Sequence, residues 1–218
     1  MTQRSQKKPP AKTGPNLTTL WWILGGVAGL ALIVLLAISI AGEEELDDSI
    51  AFGEVSVEGE PLPVLQDPIN DPAVGMTAAT ISGGDWNDNQ YSIGPDGTPK
   101  IVVFLAHWCP HCQAEVPVIN QWLASGGLPD GVEMFSVTVF SDRLRGNWPP
   151  QTWLEDAAWT VPVIMDDAIG TVATTVGMTS TPLYIVLDGE NKVVQRISGE
   201  IGAAGLDTLS QLALESAA

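Results

Sequence analysis

The chain has 218 residues, of which 45% are hydrophobic, and a formal net charge of −17 at pH 7. This length allows one globular domain with accessory segments, and so negative a chain lacks the basic face that nucleic-acid binding requires. Both cysteines of the sequence belong to a single C-x-x-C motif. A secreted protein stapled by disulfides would show more cysteines, spread along the chain, so that class is excluded.

The first predicted element is a membrane-spanning helix over residues 20–41. No charged residue occurs in residues 13–42, and a nearly continuous apolar run of this length crosses a hydrocarbon layer of about 30 Å as a helix. Basic residues precede the run and every acidic residue follows it, so the positive-inside rule predicts a cytoplasmic N-terminus. The alternative is a cleaved signal peptide, because Ser39-Ile40-Ala41 is a passable cleavage site, but secretory apolar cores usually span about 7–15 residues.

The segment after this helix is acidic and then rich in proline, without sustained periodicity, which is typical of an extended tether. Whether the N-terminal helix is a retained anchor or a cleaved signal peptide, the remainder of the chain is expected to be exported. The predicted parts are a cytoplasmic basic tail (1–19), a transmembrane anchor (20–41), a tether (42–71) and an extracytoplasmic domain (72–218). The anchor places the protein in the cell membrane as a single-pass, N-in chain.

The domain alternates strand and helix patterns. Short apolar runs bounded by turn residues predict strands, and apolar residues at helical spacing predict helices. The predicted strands are 100–105, 132–140, 161–165, 183–187 and 192–197, and the predicted helices are 109–125, 151–159, 168–176 and 206–215. Alternation followed by a hairpin and a last helix predicts an α/β fold, with a mixed central sheet covered on both faces.

The residues that carry chemistry are Cys109 and Cys112, at the start of a predicted helix. At this spacing the two cysteines can close a small disulfide. The first lies near the positive end of the helix dipole, which favours its thiolate, whereas the second faces inward. We therefore predict that Cys109 forms a mixed disulfide with substrate and that Cys112 resolves it. His111, between them, can hydrogen-bond or pair with the Cys109 thiolate and lower its pKa, with an exposed residue of no special role as the alternative.

Two other interpretations of this cluster remain open. His107, Cys109, His111 and Cys112 are four soft ligands within six residues, so a copper chaperone or metal-binding protein is one, since Cu(I) accepts two thiolates. A closed zinc site would need ligands elsewhere, and the sequence has no further Cys or His. The second interpretation is a non-catalytic binding module of the same fold.

Two separated segments resemble a known family. Residues 102–117, VVFLAHWCPHCQAEVP, resemble the active-site strand and helix of thioredoxin-fold proteins, and are most similar to the membrane-tethered TlpA/ResA-like thiol–disulfide oxidoreductases. Residues 176–187, VGMTSTPLYIVL, resemble the second signature of that family, in which a proline opens a core strand beside the active site. The resemblance implies a thioredoxin-like fold and disulfide exchange with protein thiols, without an organic cofactor or a metal.

The resemblance also implies the residues that contact substrate. Trp108 is expected to flank the nucleophile, and Pro182 to be a cis-proline next to Cys109 in space. Thr181 is expected to offer its backbone to an extended substrate segment. Pro110, inside the C-x-x-C motif, belongs to the same expected substrate surface.

Glu115 lies where TlpA/ResA-like proteins keep a glutamate. On a helix it stands one turn beyond Cys112, within reach of that thiol's proton directly or through water. Release of substrate requires the Cys112 thiolate, so the resemblance implies that Glu115 is the base. From the sequence alone, a solvated surface glutamate is the alternative.

The direction of exchange is less determined. The dipeptide Pro110-His111 is the one associated with the strong oxidant DsbA, whereas the fold and tether resemble reductants that support, for example, cytochrome c maturation. We expect an oxidant of cysteine-containing exported proteins, with the reductant as the alternative. One C-x-x-C motif handles a single two-electron event, so a membrane redox partner is expected to reset it. The loop 142–150 carries Arg143, Arg145 and Trp148, which is unusual in an acidic domain. We interpret this loop as a simple connection, with a docking surface as the alternative.

Overall fold

The computed structural model describes residues 16–40 and 51–216, and the chain divides into two units at residue 46. The first unit contains helix α1 (Leu17–Ile40). Across the described residues, no helix combines the length and the hydropathy needed to cross a membrane. The anchor over 20–41 therefore stays a prediction, and the basic tail over 1–19 falls almost wholly outside the described residues.

The second unit contains two sheets and four helices in its described part. The strands are β1 (Val55–Glu58), β2 (Thr80–Gly84), β3 (Gln90–Ile93), β4 (Lys100–Leu105), β5 (Glu133–Thr138), β6 (Val163–Met165), β7 (Leu183–Leu187) and β8 (Val193–Ser198). The helices are α2 (Pro110–Ala124), α3 (Pro150–Asp156), α4 (Thr171–Thr175) and α5 (Gly202–Ser216). The five-stranded sheet has the order β6-β5-β4-β7-β8, and β1-β2-β3 form an antiparallel sheet of their own.

The central sheet is mixed, as predicted. Strand β4 pairs parallel with β5 and antiparallel with β7, so it lies in the middle of the sheet. Every residue of β4 is buried, because successive side chains of a strand point to opposite faces and both faces are covered. Ile101, Val103 and Leu105 join a core with α2, α3 and α5, whereas Val102 and Phe104 join a second core with α4 and the smaller sheet.

The predicted tether is corrected by the structure, because residues 51–71 belong to the folded unit. Strand β1 lies within this range, and Leu62 and Leu65 are buried in the second core. The backbone N–H of Leu65 donates to the carbonyl of Gly177, after α4. Gly177 has φ +64°, and a Cβ there would lie 2.3 Å from the Pro63 carbonyl oxygen, so a glycine permits this close approach.

A buried ion pair joins the end of this segment to β8. Both oxygens of Asp71 accept from Arg196 of β8, at 2.7 Å from Nε and 2.5 Å from Nη2. Burial acts to raise the pKa of Asp71, but the hydrogen bonds and the charge of Arg196 hold it below its usual range. Sequence reasoning missed this folding because the segment is dotted with prolines, and the partners of Leu62, Leu65 and Asp71 lie more than 100 positions away.

Candidate active site

Cys109 lies four residues after strand β4 and directly before helix α2. It is the N-cap of α2, with extended backbone at φ −77° and ψ 120°, and Pro110 occupies the first turn. The first N–H groups of a helix have no partner within the helix, and they form its positive end. The fixed φ of proline suits this first turn, so the sequence itself starts the helix at the nucleophile.

The Cys109 sulfur lies against the loop before β7. Its Sγ is 3.4 Å from the carbonyl oxygen of Thr181. The Thr181–Pro182 peptide bond is cis, as predicted. Burial acts to raise the pKa of Cys109, but the Thr181 hydroxyl, the backbone N–H and thiol of Cys112 and the backbone N–H of His111 outweigh it. The pKa of Cys109 is therefore lowered, and its thiolate is favoured.

Cys109 opens into a cleft of about 280 Å³. The cleft is lined by Trp108, Cys109, Phe140, Thr179, Ser180 and Thr181. Three of the four residues assigned to substrate contact therefore meet at or beside one surface, since Trp108 and Thr181 line the cleft and Pro182 follows Thr181. Pro110 is exposed at the adjoining start of α2. An extended segment of a partner protein can reach the Cys109 sulfur through this cleft.

Cys112 has a different environment, although it is also a free thiol in the structure. Its side chain is fully buried, and its Sγ accepts from the backbone N–H of Ala106 at 3.5 Å. Burial raises the pKa of Cys112 to about 12, and a charge on Cys109 acts in the same direction. Cys112 is therefore a protonated thiol at neutral pH, in contrast with its neighbour three residues earlier.

Glu115 is buried rather than solvated, at 2% exposure. Its Oε1 accepts the hydroxyl of Tyr184 at 2.9 Å and the backbone N–H groups of Ile201 and Gly202 at 3.0 and 2.9 Å. Burial, Glu115 and Cys112 each raise the pKa of Tyr184, so these three side chains share one buried region. Sequence reasoning missed Tyr184; its signal was a single hydroxyl in the otherwise aliphatic strand β7.

His111 lies on the outer side of α2. Its Nδ1 is 2.6 Å from Oε1 of Glu200, and both side chains are substantially exposed. The ring's partner in the described residues is thus a carboxylate, whereas the sequence predicted the Cys109 sulfur. What His111 does give Cys109 is its backbone N–H, which favours the thiolate. Glu200 was not singled out from the sequence.

His107 is buried at the base of the neighbouring loop. Its Nδ1 is 2.8 Å from the Gly146 carbonyl oxygen, and its Nε2 accepts the backbone N–H of Asp142 at 3.1 Å. Its own carbonyl accepts from the side chain of Asn147. Burial lowers the pKa of His107, and the two ring contacts fit a neutral imidazole with its proton on Nδ1.

These contacts bear on the metal interpretation of the cluster. Both ring nitrogens of His107 are occupied, His111 points to Glu200, and Cys112 is enclosed. Within residues 16–40 and 51–216, no group of three or more His, Cys, Asp or Glu side chains is arranged to hold a metal ion.

The arrangement suits transfer between sulfurs: an acidified thiol that lines the cleft, 5% exposed, lies beside a fully buried, protonated one. The Redoxin family model matches residues 73–210. The chain belongs to the Redoxin family. This redoxin is 22% identical over 174 residues to the thiol:disulfide interchange protein DsbE of Pasteurella multocida, covering 79% of this chain and 82% of the relative. It is 22% identical over 179 residues to DsbE of Escherichia coli, covering 79% and 84%.

Solved structures share the fold of this redoxin. StoA from Bacillus subtilis matches with a TM-score of 0.53 and 20% identity, over 64% of this chain and 99% of that one. A putative thiol:disulfide interchange protein DsbE from Chlorobium tepidum gives 0.54 and 19%, over 66% and 98%. The thioredoxin-like resemblance seen in the sequence is confirmed. The chain is a thioredoxin-like thiol–disulfide oxidoreductase.

Proposed function

We propose that Cys109 is the attacking residue of this oxidoreductase and that Cys112 is the resolving one. The observation that carries the proposal is the opposite shift of the two thiols. The pKa of Cys109 is lowered beside an open cleft, whereas the pKa of Cys112 is raised to about 12 by burial. Only a thiolate attacks a disulfide, so the two cysteines react in a fixed order.

In the reducing direction, the Cys109 thiolate attacks one sulfur of a substrate disulfide. A Cys109–substrate disulfide forms, the substrate S–S bond breaks, and the other substrate sulfur leaves as a thiolate. Cys112 then loses its proton and attacks Cys109, which forms the Cys109–Cys112 disulfide and expels the second substrate thiolate. Two electrons pass from the pair to the substrate, and the oxidising direction is the reverse of these steps.

Glu115 is the proposed acceptor of the Cys112 proton. It lies one helical turn beyond Cys112, where side chains at i and i+3 are neighbours. Its burial with Tyr184 keeps water scarce, so a local carboxylate is needed to take a proton from a thiol of high pKa. The hydrogen bonds from Tyr184, Ile201 and Gly202 fix its position.

The proposed direction is oxidation of exported proteins, with reduction as the alternative. A lowered pKa of Cys109 stabilises the dithiol form of the pair, and a stabilised dithiol makes the couple more oxidising. A redox titration of the full-length chain against glutathione tests the direction. A reduction potential well above that of thioredoxin, about −270 mV, is expected, and a value near about −250 mV or lower would reverse the assignment.

The proposed location is the outer side of the cell membrane, with the C-x-x-C unit held by an N-terminal anchor and reset by a membrane redox partner. The supports are the charge-free residues 13–42, the basic residues before them and the acidic residues after them. Protease added to intact spheroplasts should digest residues 51–216 of the full-length chain. A full-length chain that stays in the soluble fraction after lysis, or resists the protease, would contradict this location.

A further inference from the structure

We call residues 140–149 the arginine loop. This loop lies beside the cleft, and the proposed exchange chemistry of the two cysteines gives it no role. It begins at Phe140, two residues after β5, and ends at the cis Trp148–Pro149 bond before α3. Phe140 and Asn147 both have positive φ. It carries Arg143 and Arg145, with the exposed Leu144 between them.

The arginine loop is fixed to the active-site turn rather than loosely attached. The indole Nε1 of Trp108 donates to the carbonyl of Phe140 at 2.7 Å. The neutral ring of His107 binds the loop at two points, through the Gly146 carbonyl and the Asp142 N–H, and the His107 carbonyl binds Asn147. These residues immediately precede Cys109, so the loop is held in a defined place relative to the nucleophile.

The two arginines lie along the side of this surface. The guanidinium carbon of Arg145 is 4.1 Å from the centroid of the Trp108 ring, and that of Arg143 is 5.9 Å from the Trp148 ring. Both distances are within cation–π range. Arg145 also pairs with Asp142 at 3.3 Å, and its side chain is 54% exposed. Because Trp108 lines the cleft, the charge of Arg145 stands at the rim.

The positive charges of Arg143 and Arg145 are unusual in so acidic a domain. From Glu43 onward the sequence has 26 acidic residues, against the five basic residues Lys100, Arg143, Arg145, Lys192 and Arg196. Lys100 and Arg196 are buried. Lys192 pairs with Glu190 in the β7–β8 turn, at the other end of β7 from Pro182. The exposed basic residues next to the cleft are thus the arginine pair.

We propose that the arginine loop is a docking surface for an acidic segment of the substrate protein, adjacent to that protein's reactive cysteine. Carboxylates of the segment meet Arg143 and Arg145, and an apolar side chain covers Leu144, which is 91% exposed. Complementary charge of this kind orients the encounter and raises its rate. The inference rests on the proposed function and adds to it the chemical class of the partner.

The experiment uses the full-length oxidised chain and three dithiol peptides of equal length, with acidic, neutral or basic residues flanking the cysteines. Stopped-flow tryptophan fluorescence gives the second-order rate constant for each. In R143Q/R145Q, the ratio of the acidic to the neutral peptide rate should fall about fivefold, consistent with the modest strength of exposed ion pairs. The same ratio should stay within about twofold in R143K/R145K, which keeps the charge, and in the distant control K192Q.

A ratio unchanged in R143Q/R145Q, or lowered equally in K192Q, would overturn the docking surface. Exchange of the wild-type chain with neutral dithiothreitol reports the Cys109–Cys112 chemistry separately. Loss of that exchange would contradict the proposed function, whereas normal exchange with no dependence on the arginines would contradict the docking inference alone.

Discussion

The regions around the two sulfurs of the C-x-x-C motif differ far more than three residues of separation would imply. Cys109 caps α2 at the edge of a cleft, where hydroxyl and N–H groups lower its pKa. Cys112 lies one turn further into the helix, fully buried, with a pKa of about 12. Identical side chains thus acquire opposite pKa shifts, because hydrogen-bond donors at the helix end outweigh burial at Cys109, whereas burial dominates at Cys112.

This difference shows what each region must supply. The outer region needs only access and hydrogen-bond donors, because its thiol already favours the reactive form. The inner region needs a proton acceptor, because Cys112 cannot attack until it loses a proton that burial holds tightly. Glu115 and Tyr184 lie in this inner region, whereas His111 and Glu200 lie in the outer one.

The largest expected effect follows from removing the outer sulfur. Cys109→Ser should lower insulin-disulfide reduction by the full-length chain at least about 1,000-fold, because a hydroxyl does not replace a thiolate as nucleophile at neutral pH. Turnover is measured as insulin turbidity with dithiothreitol as reductant. A variant that keeps more than about a tenth of the wild-type rate would mean that Cys109 is not the attacking residue.

The difference between the two thiols can be measured directly by alkylation of the reduced chain. The pKa of Cys109 is lowered from the ordinary thiol value of 9.0 and that of Cys112 is raised to about 12, so at neutral pH their thiolate fractions differ at least about 1,000-fold. The rate at Cys109 should rise with pH and level off below the ordinary thiol pKa, while Cys112 stays unmodified. Mass spectrometry of peptides reports the extent of alkylation at each cysteine. Comparable modification of both cysteines at pH 7 would show that their pKa values do not differ as described.

The inner region is tested by Glu115→Gln, which keeps the shape of the side chain and removes the base. Resolution of a preformed Cys109–glutathione disulfide by Cys112 should slow about 100-fold at pH 7, the lower end of general-base effects, and should recover as pH rises. Glu133→Gln, at the exposed start of β5, is the matched control and should leave the rate unchanged. An unaltered pH–rate profile in the Glu115 variant would assign this carboxylate a purely structural role.

The smallest effect is expected from Glu200→Gln. Its contact with His111 is solvent-exposed, so water screens it. Removing one negative charge near the start of α2 should make the pair slightly more oxidising, changing its equilibrium constant with glutathione less than about fivefold. A change greater than about tenfold would show that His111 and Glu200 act on the Cys109 sulfur more strongly than their exposure allows.

Sequence patterns predicted the central sheet well. The strand expected over 100–105 is β4 to the residue, and the helix expected over 109–125 is α2, because these segments are apolar at one clear period and carry their own start and stop signals. Strands β1, β2 and β3 were missed. They are short and contain glycine, serine and glutamine, and their stability comes from pairing with one another and from Ile81 and Ile93 packing on the core.

For the candidate site, local sequence identified the residues but not all of their contacts. The cis Thr181–Pro182 bond beside Cys109 was expected from the family signature and is present. The partners of Glu115 and His111 were not foreseen, since Tyr184 and Glu200 lie 69 and 89 positions away along the chain. Contacts over such distances depend on how β7, β8 and α5 are placed, which no local pattern encodes.

The fixed reaction order of the two cysteines can be tested by trapping mixed disulfides. The full-length variants Cys112→Ser and Cys109→Ser are each incubated with oxidised glutathione at pH 7, and their masses are measured by intact mass spectrometry. We expect a persistent one-to-one glutathione adduct on Cys109 in the first variant and an unmodified Cys112 in the second. Equal or faster adduct formation on Cys112 would contradict this order.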